Sequence, residues 1–182
     1  MEHEKVQLGK LEIDLGELAG FLVKAKKSCY AGNGQEERLR DGSKVLTFQD
    51  GDFYYTDNYA GFYQASGTEI VRWQKADGQR LWQMSYNGGL APEFQGDEEV
   101  TKDVFVFLKE ALAQTTPEKP FRGPEPKKVM RRGLLGFYEY ETNTKGDLKK
   151  FSGQENIYLD DILKVYLIFS QNYIGGLVIP KD

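Results

Sequence analysis

The chain predicts an α+β fold: an internal duplication of a helix plus about four antiparallel strands, its two halves related by a pseudo-twofold axis. Two observations predict it. Ser66-Gly67-Thr68-Glu69 followed by Tyr86-Asn87-Gly88-Gly89-Leu90 recurs as Ser152-Gly153-Gln154-Glu155 followed by Tyr173-Ile174-Gly175-Gly176-Leu177, 86 to 87 residues later. Phe21-Leu22 and Phe107-Leu108 recur at the same offset on two apolar-periodic stretches. These landmarks divide the chain into a lead-in (1–10), a first α+β unit (11–95) and a second (96–182), packed as one body. A recurrence this long, seen only twice, is not a solenoid repeat.

Each element has a local cause. Asp14, with Glu17 three positions on, reads as the N-cap of a helix over Leu15 to Ser28. Its stripe is Leu11, Leu15, Leu18, Leu22 and Ala25, and Lys24, Lys26 and Lys27 complement the dipole at its end. Strands follow at 45–48, 53–58, 69–74 and 80–86, divided by the turns Gln49-Asp50-Gly51-Asp52 and Ala76-Asp77-Gly78-Gln79. A second helix over 100–114 presents Val104, Leu108, Ala111 and Leu112. The second series of strands then begins near Lys128-Val129-Met130 and Phe137-Tyr138.

Composition narrows the function classes. The chain of 182 residues has 24 basic and 28 acidic residues, a net charge of −4, and no basic stripe, which argues against direct nucleic-acid binding. One cysteine, Cys29, excludes an internal disulfide and fits a reducing compartment. No apolar run is long enough for a signal peptide or a membrane span, so the expectation is a cytoplasmic protein without membrane contact. The sole histidine is His3, which leaves no Ser-His-Asp or Cys-His nucleophile. No Cys or His cluster offers metal ligands, no phosphate-binding glycine loop is present, and no cofactor is expected.

Carboxylates, aromatics and glycines remain. Glu69 and Glu155 occupy matching positions, as an acid–base pair in a shared cleft or as polar anchors for a ligand. The plainer alternative has each accept backbone N–H groups at a Ser-Gly turn. Eleven Tyr, eleven Phe and two Trp exceed what a core of this size needs, so Tyr55, Trp73, Trp82, Tyr86, Tyr138 and Tyr173 are candidate lining residues. Arg122, with Tyr30 and Asn33 at the matching loop, is placed to meet an anionic ligand; the alternative is an exposed loop arginine. Cys29 reads as a small buried side chain.

With these residues in view, the chain resembles a family of uncharacterised bacterial and archaeal proteins. The blocks are Phe21-Leu22-Val23-Lys24-Ala25-Lys26, Tyr30-Ala31-Gly32-Asn33-Gly34, Gly51-Asp52-Phe53-Tyr54-Tyr55-Thr56-Asp57, Gly67-Thr68-Glu69-Ile70-Val71-Arg72-Trp73 and Trp82-Gln83-Met84-Ser85-Tyr86. The resemblance implies a domain found alone or behind XRE-type helix-turn-helix regulators, with no assigned reaction. This chain has no recognisable helix-turn-helix and would be the sensor-like portion. Three readings follow: a small-molecule binding or sensing module with a cleft between the two units, a cofactor-independent enzyme using paired glutamates and tyrosines, and a protein-interaction module forming a homodimer through a strand edge.

Overall fold

A computed structural model of the chain describes residues 4–31, 36–161 and 164–181. The expected lead-in is instead a hairpin, β1 (Lys5–Leu8) paired antiparallel with β2 (Leu11–Asp14) around Gly9. Leu11, assigned to the helix stripe by its spacing, therefore lies in a strand. Asp14 ends β2 and caps α1 (Leu15–Lys26), its Oδ1 accepting from the Gly16 and Glu17 amides at 2.8 and 2.9 Å. The helix does not stop there. Lys27–Ala31 widens into one π-helical turn, which turns the Tyr30 hydroxyl back toward the sheet.

Nine strands then form a single antiparallel sheet. In chain order they are β3 (Glu36–Arg38), β4 (Lys44–Asp50), β5 (Phe53–Gly61), β6 (Gln64–Trp73), β7 (Arg80–Leu90), β8 (Val129–Arg132), β9 (Phe137–Asp147), β10 (Lys150–Asp161) and β11 (Lys164–Leu177). Their spatial order is β3-β4-β5-β6-β7-β11-β10-β9-β8. Helix α2 (Glu98–Leu112), capped by Asp97, lies between β7 and β8 in the chain.

This architecture overturns the expected α+β fold and its internal duplication. The protein is dominated by strands, with one large sheet and only two α-helices among the described residues, not two helix-plus-four-strand copies. The joint is β7 against β11, paired over nine positions from Phe169↔Leu90 to Leu177↔Trp82. A strand edge left at either would expose unpaired amides and carbonyls; pairing the two removes both edges and leaves no interface between halves.

The recurring Ser-Gly-x-Glu blocks also have a local explanation, and it is not a turn. Ser66-Gly67 and Ser152-Gly153 sit inside β6 and β10. Gly67 lies directly across from Tyr86, and Gly153 from Tyr173. Each tyrosine ring lies over the glycine: a Cβ on Gly67 would come within 2.3 Å of the Tyr86 ring, and one on Gly153 within 2.4 Å of Tyr173. Gly67→Ala should therefore cost roughly 2–3 kcal/mol, because the ring must move and nothing flexible can yield. Urea unfolding measures it; a change under about 0.5 kcal/mol would show that Tyr86 does not need this space.

Both helices pack on one face of the sheet. Leu18, Phe21 and Leu22 of α1 meet Phe53, Tyr55, Val71 and Met84. Val104, Phe107 and Leu108 of α2 meet Tyr138, Tyr140, Ile157 and Phe169. The opposite face is open and polar, with Ser66, Asn87, Asn172, Gln154 and Asn143 side by side across five strands, all exposed.

Candidate functional site

Between the two helix-sheet cores, strand alternation points charge inward. In β5 the residues Phe53, Tyr55 and Asp57 share the covered face; in β6 Glu69 does, across from Asp57; in β10 and β11 Glu155 lies across from Gln171. From α1, Lys26 follows Leu18 and Leu22 at four-residue steps and enters the same space. Arg122 arrives from the segment after α2, whose backbone is anchored by the Thr115 hydroxyl donating to the Arg122 carbonyl. Asp57, Glu69, Glu155, Lys26 and Arg122 are each at most 3% exposed.

Arg122 organises the cluster. Its Nε donates to Glu155 Oε1 at 2.8 Å and its Nη1 to Glu69 Oε1 at 3.1 Å. Its guanidinium lies 5.0 Å from the centre of the Tyr86 ring. Glu155 is completed by Gln171 Nε2 at 2.7 Å and the Tyr140 hydroxyl at 2.7 Å, and that hydroxyl accepts from the Gly123 amide at 2.9 Å. Gly123 has to be glycine, since a Cβ would fall 2.4 Å from the Tyr140 ring. Lys26 closes the far side of Glu69 with a short ion pair to Oε2.

Asp57 is treated differently. Its two oxygens accept from the Tyr30 and Tyr86 hydroxyls, each at 2.9 Å, and no cation pairs with it among the described residues. Tyr30 has one proton to give and two carboxylates in reach, since Glu69 Oε1 is 3.2 Å away; Tyr55 stands 3.3 Å behind it. Burial, and then the charge of Glu69 opposite, push Asp57 up to about 6. Burial pulls the Lys26 ammonium below its ordinary value, with Glu69 opposing and Arg122 reinforcing. Burial also disfavours the Arg122 charge, but the carboxylates of Glu155 and Glu69 outweigh it and hold the guanidinium charged. Burial and the neighbouring carboxylates raise Tyr30, Tyr55, Tyr86 and Tyr140 well above the usual phenol range. Cys29, buried beside the cluster, is pushed up to about 12 by burial and then by Asp57, which makes it an inert thiol.

A cavity of about 340 Å³ opens above this cluster, between α2 and the strands β4 to β7. Asp57, Tyr30, Tyr86, Arg122 and Gln171 reach its floor; Leu46, Phe105, Leu108 and Leu112 form apolar walls. Glu36, Lys44, Lys102 and Lys109 stand at the rim. The open face of the sheet carries a larger groove, about 1200 Å³, but no buried carboxylate, lysine or arginine lines it. The smaller cavity is the one that the chemistry adjoins.

The structure thus brings together Tyr30, Tyr55, Glu69, Tyr86, Arg122 and Glu155 of the residues singled out from sequence. Arg122, whose plainer reading was an exposed loop side chain, is buried. The other aromatics lie elsewhere. Trp73 packs edge-on against Phe53, and Trp82 is stacked on Phe151 deep in the α1 core. Tyr138 is buried against Phe107 under α2, and the Tyr173 hydroxyl is held by Thr142 and Thr144 at 2.8 and 2.7 Å. Asn33 lies outside the described residues. Asp57, Lys26 and Gln171 were not anticipated. The signal for them was in place: Asp57 follows Phe53 and Tyr55 on one strand face, Gln171 falls between Phe169 and Tyr173, and Lys26 continues Leu18 and Leu22.

Among the described residues no group of three or more His, Cys, Asp or Glu side chains is placed to hold a metal ion, and no helix is long and apolar enough to cross a membrane. No curated protein and no solved structure matches the chain. The model of the family described as "Domain of unknown function (DUF5680)" matches residues 57–178, a span that takes in Asp57, Glu69, Tyr86, Arg122, Tyr140, Glu155 and Gln171. The chain belongs to this family.

Proposed function

We propose that the protein is a small-molecule binding module whose ligand sits in the cavity between α2 and strands β4 to β7. One observation carries this reading: an apolar-walled cavity of about 340 Å³ ends on a buried, ionisable floor. That combination of volume, apolar lining and a few convergent polar groups is what small-ligand sites share, from about 300 Å³ upward. The reading of Glu69 and Glu155 as a catalytic acid–base pair has less support, because both are wholly buried, neither lines the cavity, and Arg122 clamps both. Strand-edge dimerisation also has little to work with, since the sheet ends on the three- and four-residue strands β3 and β8. If related domains follow helix-turn-helix regulators, as the sequence resemblance implies, the ligand would act as a regulatory signal.

A thermal-shift screen with a metabolite library at pH 8 tests the proposal. A ligand at a hundred times its Kd adds about 2.7 kcal/mol, which for a chain of this size raises Tm by roughly 5–10 °C. Ala65→Phe, filling the cavity from β6, should abolish the shift. No stabilising compound, or a shift that survives in Ala65→Phe, would overturn the reading.

A further inference from the structure

The buried cluster does not balance. Lys26 and Arg122 bring two positive charges; Asp57, Glu69 and Glu155 bring three carboxyl groups. Lys26 takes one side of Glu69, and Arg122 takes Glu155 and the other side of Glu69. Asp57 is left with hydroxyl donors alone, and it is the one of the three that reaches the cavity. A carboxylate placed in a low-dielectric site without a counter-charge is costly, and whatever cation enters beside it recovers that cost.

We propose that the ligand of this cavity carries a basic nitrogen on an apolar body, the nitrogen meeting Asp57 between Tyr30 and Tyr86. The proposal rests on the binding reading above and names the chemical class of the occupant. An ammonium there supplies the missing positive charge and donates to the carboxylate, while the tyrosine rings offer it electron-rich faces. Leu46, Phe105, Leu108 and Leu112 cover its apolar part. A hydroxyl in the same place could donate one hydrogen bond but bring no charge, and a carboxylate would add a fourth negative group. The preference therefore runs amine, then alcohol, then acid.

Every charged or titratable group around Asp57 fits this order. From α1 and its last turn come Lys26, Cys29 and Tyr30; from β5, Tyr55 and Tyr59; from β6, Glu69; from β7, Tyr86; and from the segment after α2, Arg122. Lys26 and Arg122 are already committed to Glu69 and Glu155. At the rim Lys44 pairs with Glu36 at 2.8 Å and Lys102 with Glu98 at 3.0 Å, and Lys102 and Lys109 are exposed, where water and salt weaken their field. The dry floor decides the sign of the ligand's inner end; the wet rim leaves room for an anionic group at its outer end.

Calorimetry and thermal shift on the full chain with isosteric triads test this: 2-phenylethylamine, 2-phenylethanol and 3-phenylpropanoate, then hexylamine, hexanol and hexanoate. At pH 8 the amine of a triad should bind at least tenfold more tightly than its alcohol, and the acid should not bind. Lowering the pH to 5 protonates Asp57 while the amine stays charged, so the preference should fall about tenfold. Asp57→Asn should erase it, and Lys145→Ala on the open face of the sheet, outside this cavity, should leave it intact. An alcohol or acid that binds as well as its amine, or a preference that survives in Asp57→Asn, overturns the assignment while leaving small-molecule binding standing. Failure of every triad member also overturns it; a metabolite hit lacking a basic nitrogen would then keep the binding reading alone.

Discussion

Arg122→Met should destabilise the protein by about 3–5 kcal/mol, the usual penalty for removing one partner from a buried ion pair. With a whole-domain stability of roughly 5–15 kcal/mol, this is enough to threaten folding at 37 °C. The loss is not that of a surface salt bridge. Removing the guanidinium leaves Glu69 with Lys26 and Glu155 with only neutral donors, Gln171 and Tyr140. Arg122→Lys should recover only part of the loss, since a single ammonium cannot reproduce Nε at 2.8 Å to one carboxylate and Nη1 at 3.1 Å to another. Combining Arg122→Met with Glu155→Gln should recover more, because the orphaned charge leaves with its partner. Urea unfolding of the three variants gives the order; an Arg122→Met midpoint equal to wild type would mean the cluster is not a coupled unit.

Asp57→Asn should do the opposite and stabilise the protein above pH 6. The folded state holds the Asp57 proton up to about 6, whereas an unfolded aspartate releases it near the model-peptide value of 3.8. Between those values the folded state binds more protons than the unfolded state, so this group's contribution falls as pH rises through that window. Above pH 6 the loss is constant, on the order of 3 kcal/mol at about 1.4 kcal/mol per pH unit. Asparagine keeps an oxygen to accept from Tyr86 and removes the charge. The difference between Asp57→Asn and wild type should therefore be small at pH 4 and reach a plateau by pH 7; taking the difference cancels the titration of groups that do not interact with Asp57. A difference that stays flat with pH, or that favours wild type at pH 8, would contradict it.

The local chemistry was readable from sequence wherever one residue's neighbours settle the outcome. Asp14 caps α1, the Asp-Gly turns divide strands, and the Val104–Leu108–Ala111 spacing brings α2 down on the sheet. Long-range pairing was not readable in that way. The recurrence of Ser-Gly-x-Glu and Tyr-x-Gly-Gly-Leu suggested two bodies, yet what those blocks share is a glycine across from a tyrosine ring, and the edges they end on pair with each other into one sheet. Charge placement failed for the same kind of reason. Lys24, Lys26 and Lys27 look alike at a helix end, but only Lys26 continues the Leu18–Leu22 line into the interior, where Glu69 waits 43 residues away in sequence. Glu69 and Glu155 stood out as a matched pair and Arg122 apart from them; that one guanidinium joins both carboxylates could not be read from spacing.

A single titration reaches the centre of this account. Carbon-13 NMR of the Asp57 side-chain carboxyl, assigned with Asp57→Asn, should show a midpoint near 6 in the unliganded protein. A midpoint at or below the ordinary aspartate range near 4 would mean that Asp57 already has its counter-charge, and no unbalanced carboxylate would remain for a ligand to complete.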